Sequence, residues 1–217
     1  MRKTVVMLTI VALCGLSFLV LAPPDLLAQW GVIQRGIEAT KPGQPATQPA
    51  AQDPEAPLNR GKMGETFQAP VTFKNNRHFS YTIPAGWQKE HGDPTGEKGV
   101  GFGLPGTTVS FTIHINQMVP SFPRQAAVDA GFKSAKEEMT IRKYMAVKRR
   151  DQGGSRGVIG WETIETAEKG SGGFQRIQWQ CYDKDNYYYS FIACVNPQQF
   201  NQHRAVMQRI IDSVRFN

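Results

Sequence analysis

The sequence predicts an α+β fold in which an antiparallel sheet is covered by two helices. Three observations predict it. Val109, Phe111, Ile113 and Ile115 alternate with Ser110, Thr112, His114 and Asn116, the period of a strand with one buried face. Residues 174–182 and 187–195, rich in Tyr, Phe, Ile and Trp, flank the polar stretch Asp183-Lys184-Asp185-Asn186 and so read as a hairpin. Phe200, Met207, Ile210, Ile211 and Val214 then recur at helical spacing, with Gln202, Arg204 and Arg209 mostly on the other side.

Taken in order, the chain of 217 residues with formal net charge +7 opens on Met1-Arg2-Lys3 and an apolar run over 4–22. A basic start and an apolar stretch mark an export signal, and Ala28 precedes a candidate cleavage point at Gln29. An uncleaved anchor is the alternative, because ~20 apolar residues suffice to cross a bilayer core. Residues 1–28 are therefore a signal peptide or an N-terminal membrane anchor. Cys14 follows Leu13, where a lipoprotein signal needs a small residue, so lipidation is not expected. Residues 29–70 are rich in Pro, Gln and Ala, with few large apolar side chains to bury, and read as a disordered spacer. The folded domain is assigned to 71–217, and a chain starting near Glu65 is expected to fold as a monomer.

Within the domain, Phe79-Ser80-Tyr81-Thr82-Ile83 is a strand stopped by Pro84-Ala85-Gly86, after which Trp87 returns to the core. A loop follows through Asp93-Pro94-Thr95-Gly96. Pro120 and Pro123 end the strand around Ile113, and Val128, Phe132, Ala135 and Met139 form the apolar stripe of a helix. Residues 146–150 and 158–166 form two more strands around Gly153-Gly154-Ser155, and 169–173 turn the chain into the hairpin. Asn196 caps the last helix, with Pro197 at its first position and Gln199 placed for a capping box. With no regular strand–helix alternation, the sheet is antiparallel. A turn centred on Lys184-Asp185 sets Cys181 opposite Tyr188 and Cys194 opposite Gln175, too far apart along the ladder for a disulfide.

Phe79-Ser80-Tyr81-Thr82-Ile83-Pro84-Ala85-Gly86-Trp87, together with Ile210-Ile211-Asp212-Ser213-Val214-Arg215-Phe216, resembles the PsbP-like family over roughly residues 73–217. The resemblance implies an α-β-α sandwich, with helices on both faces of an antiparallel sheet, and docking onto other proteins in place of catalysis. Members include an extrinsic subunit of the oxygen-evolving photosystem and exported bacterial proteins without a settled role. The spacer lies outside the family pattern.

Two motifs suggest chemistry. Gly101-Phe102-Gly103-Leu104-Pro105-Gly106 spells a dinucleotide fingerprint, but a strand follows it and Pro105 lacks an amide, so it reads as a glycine-rich loop. Gly153-Gly154-Ser155-Arg156-Gly157 spells a nucleophile elbow, followed in hydrolase order by Asp183 or Asp185 and then His203. A small envelope serine hydrolase using Ser155 is the rival reading. It needs a parallel strand and a helix around Ser155, where the pattern gives antiparallel strands, and it places His203 on a solvated helix face. His78, His91, His114 and His203 are scattered without metal-ligand spacing, so no metal or cofactor is expected, although His114 beside Ser110 and Thr112 sits on a polar strand face.

Lys143, Lys148, Arg149 and Arg150 form the densest cationic run, and with Tyr187 and Tyr189 they make a candidate docking surface for an envelope protein or an anionic surface. A solvated strand edge is the structural alternative. Nucleic acid is not expected for an exported chain. The sequence thus predicts an exported, membrane-tethered or periplasmic domain that binds or assembles at the cell envelope without enzyme activity.

Overall fold

Side-chain alternation builds two sheets here, where one was expected. The computed structural model describes residues 62–75, 78–168 and 173–217. The leader at 1–28, Cys14, most of the spacer and most of the 169–173 turn lie outside the described residues. In chain order the elements are β1 (Val71–Asn75), β2 (Phe79–Ile83), β3 (Gln88–Gly92), β4 (Val100–Gly103), β5 (Ser110–Gln117), α1 (Arg124–Thr140), β6 (Tyr144–Arg149), β7 (Ile159–Glu165), β8 (Gln175–Tyr182), β9 (Tyr187–Val195), a 3-10 turn (Pro197–Gln199), α2 (Phe200–Ser213) and β10 (Arg215–Phe216).

The larger sheet runs β3-β4-β5-β9-β8-β7-β6 and the smaller β1-β2-β10, with every pair antiparallel. Phe79-Ser80-Tyr81-Thr82-Ile83 therefore pairs with β1 and the C-terminus and lies outside the main sheet. Its odd-numbered side chains reach that sheet as rings: Phe79 meets Tyr189 and Phe191 at centroid separations of 5.6 and 5.1 Å, and Phe216 of β10 meets Tyr189 at 5.0 Å. Edge-to-face pairs of this kind contribute about 0.5–1.5 kcal/mol each beyond the area they bury.

Two apolar clusters take alternate residues of β8 and β9. Ile177, Trp179, Cys181, Tyr189, Phe191, Ala193 and Val195 join the smaller sheet and the α2 stripe of Phe200, Met207, Ile210, Ile211 and Val214. Tyr182 and Tyr188 join Trp161 of β7 and Val128 and Ala135 of α1. The predicted α2 stripe is buried in full. On α1, Val128 and Ala135 are buried and Phe132 half-buried, but Met139 is exposed.

Four other expectations need correction. The folded domain extends to residues before 71: Phe67 is buried, its amide donates to the Trp87 carbonyl and its own carbonyl accepts from Gly86. The Gly101-Phe102-Gly103 stretch is strand β4 rather than loop, and Leu104-Pro105-Gly106 makes the turn. The capping box at Gln199 does not form. Asn196 caps through its side chain onto the Gln198 amide, its own amide donates to the Thr108 hydroxyl at 3.0 Å, and that hydroxyl donates to Gln199 Oε1.

The hairpin register, finally, is displaced by one residue. Asn186 adopts φ 61°, and the Asp183 amide pairs with the Tyr187 carbonyl, so the loop has three residues and not two. Cys181 consequently faces Tyr189 and Cys194 faces Arg176. A one-residue displacement exchanges faces, so the two cysteines point to opposite sides of the sheet. Both are free thiols, as expected on the weaker ground of spacing.

Candidate functional site

The connection between β6 and β7, the β8–β9 turn, the start of β2 and the C-terminus meet at one end of the fold. Ser155 lies on the exposed β6–β7 connection, between antiparallel strands, and its hydroxyl donates to the Asn217 carbonyl at 2.5 Å. Its neighbour Arg156 reaches inward. Arg156 Nη1 donates to Asp183 Oδ2 at 2.9 Å and Asp185 Oδ2 at 3.1 Å, and Nη2 donates to His78 Nδ1 at 2.7 Å. The Tyr189 hydroxyl donates to Asp183 Oδ2 at 2.9 Å and lies 2.9 Å from His78 Nδ1. Asp183 Oδ1 accepts the amides of Asp185 and Tyr187. The fully buried Asp183 carboxylate thus has four donors, which is what an anion taken out of water requires.

The elbow, Asp183 and His203 are not assembled into a triad. His203 belongs to the buried stripe of α2, with its Nε2 lacking a hydrogen-bond partner, and does not sit on a solvated face. It stands ten residues before the end of α2, about 15 Å along the axis, whereas Ser155 sits beside the residue that follows β10. The imidazole that does reach Asp183's surroundings is His78, which no spacing or motif connects with residue 183. Burial, and then the Arg156 cation, push the His78 pKa below its usual value, while burial and Asp183 push the Tyr189 phenol well up.

The cationic run is neutralised where it stands. Lys143 pairs with Glu138 at 2.8 Å, Lys148 with the buried Glu162 at 2.9 Å, and Arg149 with Asp129 and Asp151. Arg150 pairs with Glu162 and Asp212 and lies 4.3 Å from the Trp179 ring. Strand alternation also divides the run, since Lys148 and Arg150 turn toward α2 and Arg149 toward α1. Tyr189 is fully buried, which removes it from any docking surface, and Tyr187 is half-buried against the His78 ring. The combined basic and aromatic surface expected from the sequence is therefore not formed.

What does face outward is the polar side of β5, β9 and β8. Ser110, Thr112 and His114 of β5, Ile192 and Cys194 of β9, and Arg176, Gln178 and Gln180 of β8 are all half-buried, while their alternates are buried. α1 packs on β6, β7 and β8 and leaves the β3–β4–β5 side of this face to shorter side chains. Gln178 donates to Ser190 Oγ at 2.9 Å, and Ser110 Oγ lies 3.1 Å from Cys194 Sγ. The glycines of β4 keep the face flat: a Cβ on Gly101 would stand 2.0 Å from His91 Cε1, and one on Gly103 2.0 Å from Glu90 Oε1. Burial and the neighbouring His91 lower the His114 pKa. Among the described residues, no three His, Cys, Asp or Glu side chains come together as a metal site, and no helix is long and apolar enough to cross a membrane.

No protein-family model and no curated protein matches the chain. Among solved structures, it is similar to the cyanobacterial PsbP of Synechocystis, with 11% identity and a TM-score of 0.43 over 75% of this chain and 100% of that one. It is also similar to a protein of unknown function from Pseudomonas aeruginosa, with 13% identity and a TM-score of 0.36 over 66% of this chain and 94% of the other. Likeness at this level carries no statement about activity.

Proposed function

We propose that this chain is an exported, non-enzymatic domain that binds a protein partner at the cell envelope, and that its architecture is the PsbP-like α-β-α sandwich with helices on both faces of the sheet. The observation that carries the binding role is the accessible polar face of β5, β9 and β8, flat, lined by Thr112, His114, Gln178 and Arg176, and bounded on one side by α1. A partner is preferred to an anionic surface, because Lys143, Lys148, Arg149 and Arg150 already have carboxylates in contact. The basic start and apolar run of residues 1–22 support export. The hydrolase reading lacks support: the Ser155 hydroxyl is spent on the Asn217 carbonyl, and no imidazole is bonded to it.

Two measurements test this reading. A fusion of residues 1–61 to alkaline phosphatase, an enzyme active only outside the cytoplasm, is expected to be active in cells, and an inactive fusion would overturn export. The full chain as bait in envelope extract is expected to retain a partner that Thr112→Arg/Gln178→Glu loses and Lys148→Ala/Arg149→Ala keeps. The reverse pattern would move the docking surface to the basic run.

A further inference from the structure

We propose that His78 is an acid-sensitive pin, which fastens the C-terminus and the start of β2 to the β8–β9 turn and lets go when its Nδ1 takes a proton. The inference does not rest on the binding face. A guanidinium has donors only, so the 2.7 Å contact from Arg156 Nη2 requires an unprotonated Nδ1 on His78. A proton there sets two donors against each other. The groups facing the ring come from four elements: Arg156 on the β6–β7 connection, Asp183 and Asp185 on the turn, Tyr187 and Tyr189 on β9, and Glu97 between β3 and β4. Asp183 has both oxygens engaged by Arg156, Tyr189 and two amides, and although the Tyr189 oxygen, 2.9 Å from Nδ1, can accept the new N–H, that does not relieve the donor–donor contact with Arg156 Nη2.

The pin is joined to the chain end through the backbone. The Asn217 amide donates to the His78 carbonyl at 3.0 Å, while Ser155 holds the Asn217 carbonyl. Moving His78 away from Arg156 therefore loosens the C-terminal residue and the β6–β7 connection together. The sign follows from the proton count. The folded pKa lies below the unfolded value, since burial and Arg156 both disfavour the cation. The folded state then binds fewer protons, so its stability is complete above the unfolded value of about 6.5 and declines as the pH falls from there toward the folded pKa.

Hydrogen–deuterium exchange of the detergent-solubilised full chain at pH 7.5 and 5.0, corrected for intrinsic rates, tests the pin. Depression of the His78 pKa makes opening more favourable at low pH, so peptides covering 183–187 and 214–217 are expected to open reproducibly more at pH 5.0 than at pH 7.5. His78→Gln, which keeps an acceptor for Arg156 but does not titrate, is expected to abolish that increase, and His203→Gln to preserve it. No acid increase in the parent protein, or an undiminished one in His78→Gln, overturns the proposal. If glutamine leaves the end open at both pH values, or the variant does not fold, the His78 ring titration of the parent protein decides by NMR. A midpoint below 6.5 sustains the pin, and one at or above 6.5 overturns it.

Discussion

The two faces of the β8–β9 hairpin are made from the same strands, and they do opposite work. One face carries Ile177, Trp179, Cys181, Tyr189, Phe191, Ala193 and Val195, each fully buried beneath the smaller sheet and α2. The other carries Arg176, Gln178, Gln180, Ile192 and Cys194, all half-buried, with Gln178 donating to Ser190 and Cys194 in contact with Ser110 of β5, and only toward the turn are Tyr182 and Tyr188 buried with α1. The difference teaches that a dry face and a wetter, polar one can be built from a single ladder by alternation alone. Apolar burial supplies the folding free energy on the dry side, at roughly 25 cal/mol per Å² of area removed from water.

Four experiments sharpen or break that comparison, beginning with the largest expected effect. Phe191→Ala should cost about 3–5 kcal/mol by denaturant titration, because its ring lies among Phe79, Trp179 and Phe216, whereas Ile192→Ala should cost under ~1. Equal losses would mean that both faces are core. Ile210→Ala in α2 should cost about 2–5 kcal/mol and the exposed Arg209→Ala under ~0.5, since only the former removes a side chain from the dry cluster. A small loss at Ile210 would detach α2 from the sheet.

Gly160→Ala should destabilise by about 1–3 kcal/mol or more, because the added Cβ would stand 2.2 Å from the Gln180 carbonyl oxygen and 2.5 Å from Cys181 Cβ. Gly101→Ala, on the open side, meets first the exposed His91 ring, which can swing away, and should cost less than half as much. Last, Cys194 should react with a thiol reagent in the native state at least about tenfold faster than Cys181, whose thiol is fully buried and pushed up in pKa. Peptide mapping assigns the label, and equal rates would contradict the assignment of the two cysteines to opposite faces.

Much of the α+β scaffold was legible because it depends on local periodicity. The alternation around Ile113, the aromatic hairpin, the α2 stripe and the Asn196-Pro197 start all recur in the structure, since each is fixed by neighbours a few residues away. The misreadings share one cause, which is distance along the chain. Phe67 resembled a spacer residue until Trp87 and Phe73 met it, and β4 resembled a glycine loop until His91 and Glu90 lay across it.

Charge was the least legible quantity. Lys148 and Arg150 formed a basic run in the sequence only because Glu162 and Asp212 are remote in number, and His78 was an isolated histidine only because Arg156 and Tyr189 are. The sequence by itself determined the strands around Ile113 and in the aromatic hairpin, the two helices and the apolar stripe of α2, because those follow from backbone geometry and side-chain spacing, but not β4 or the burial of His203. Only the tertiary structure decided that β2 joins the C-terminus, that the hairpin loop has three residues, and that Arg156, Asp183, Tyr189 and His78 share one buried network. Those outcomes depend on which desolvated groups find partners across the fold, and a buried charge is tolerable only where its counterpart arrives from another segment.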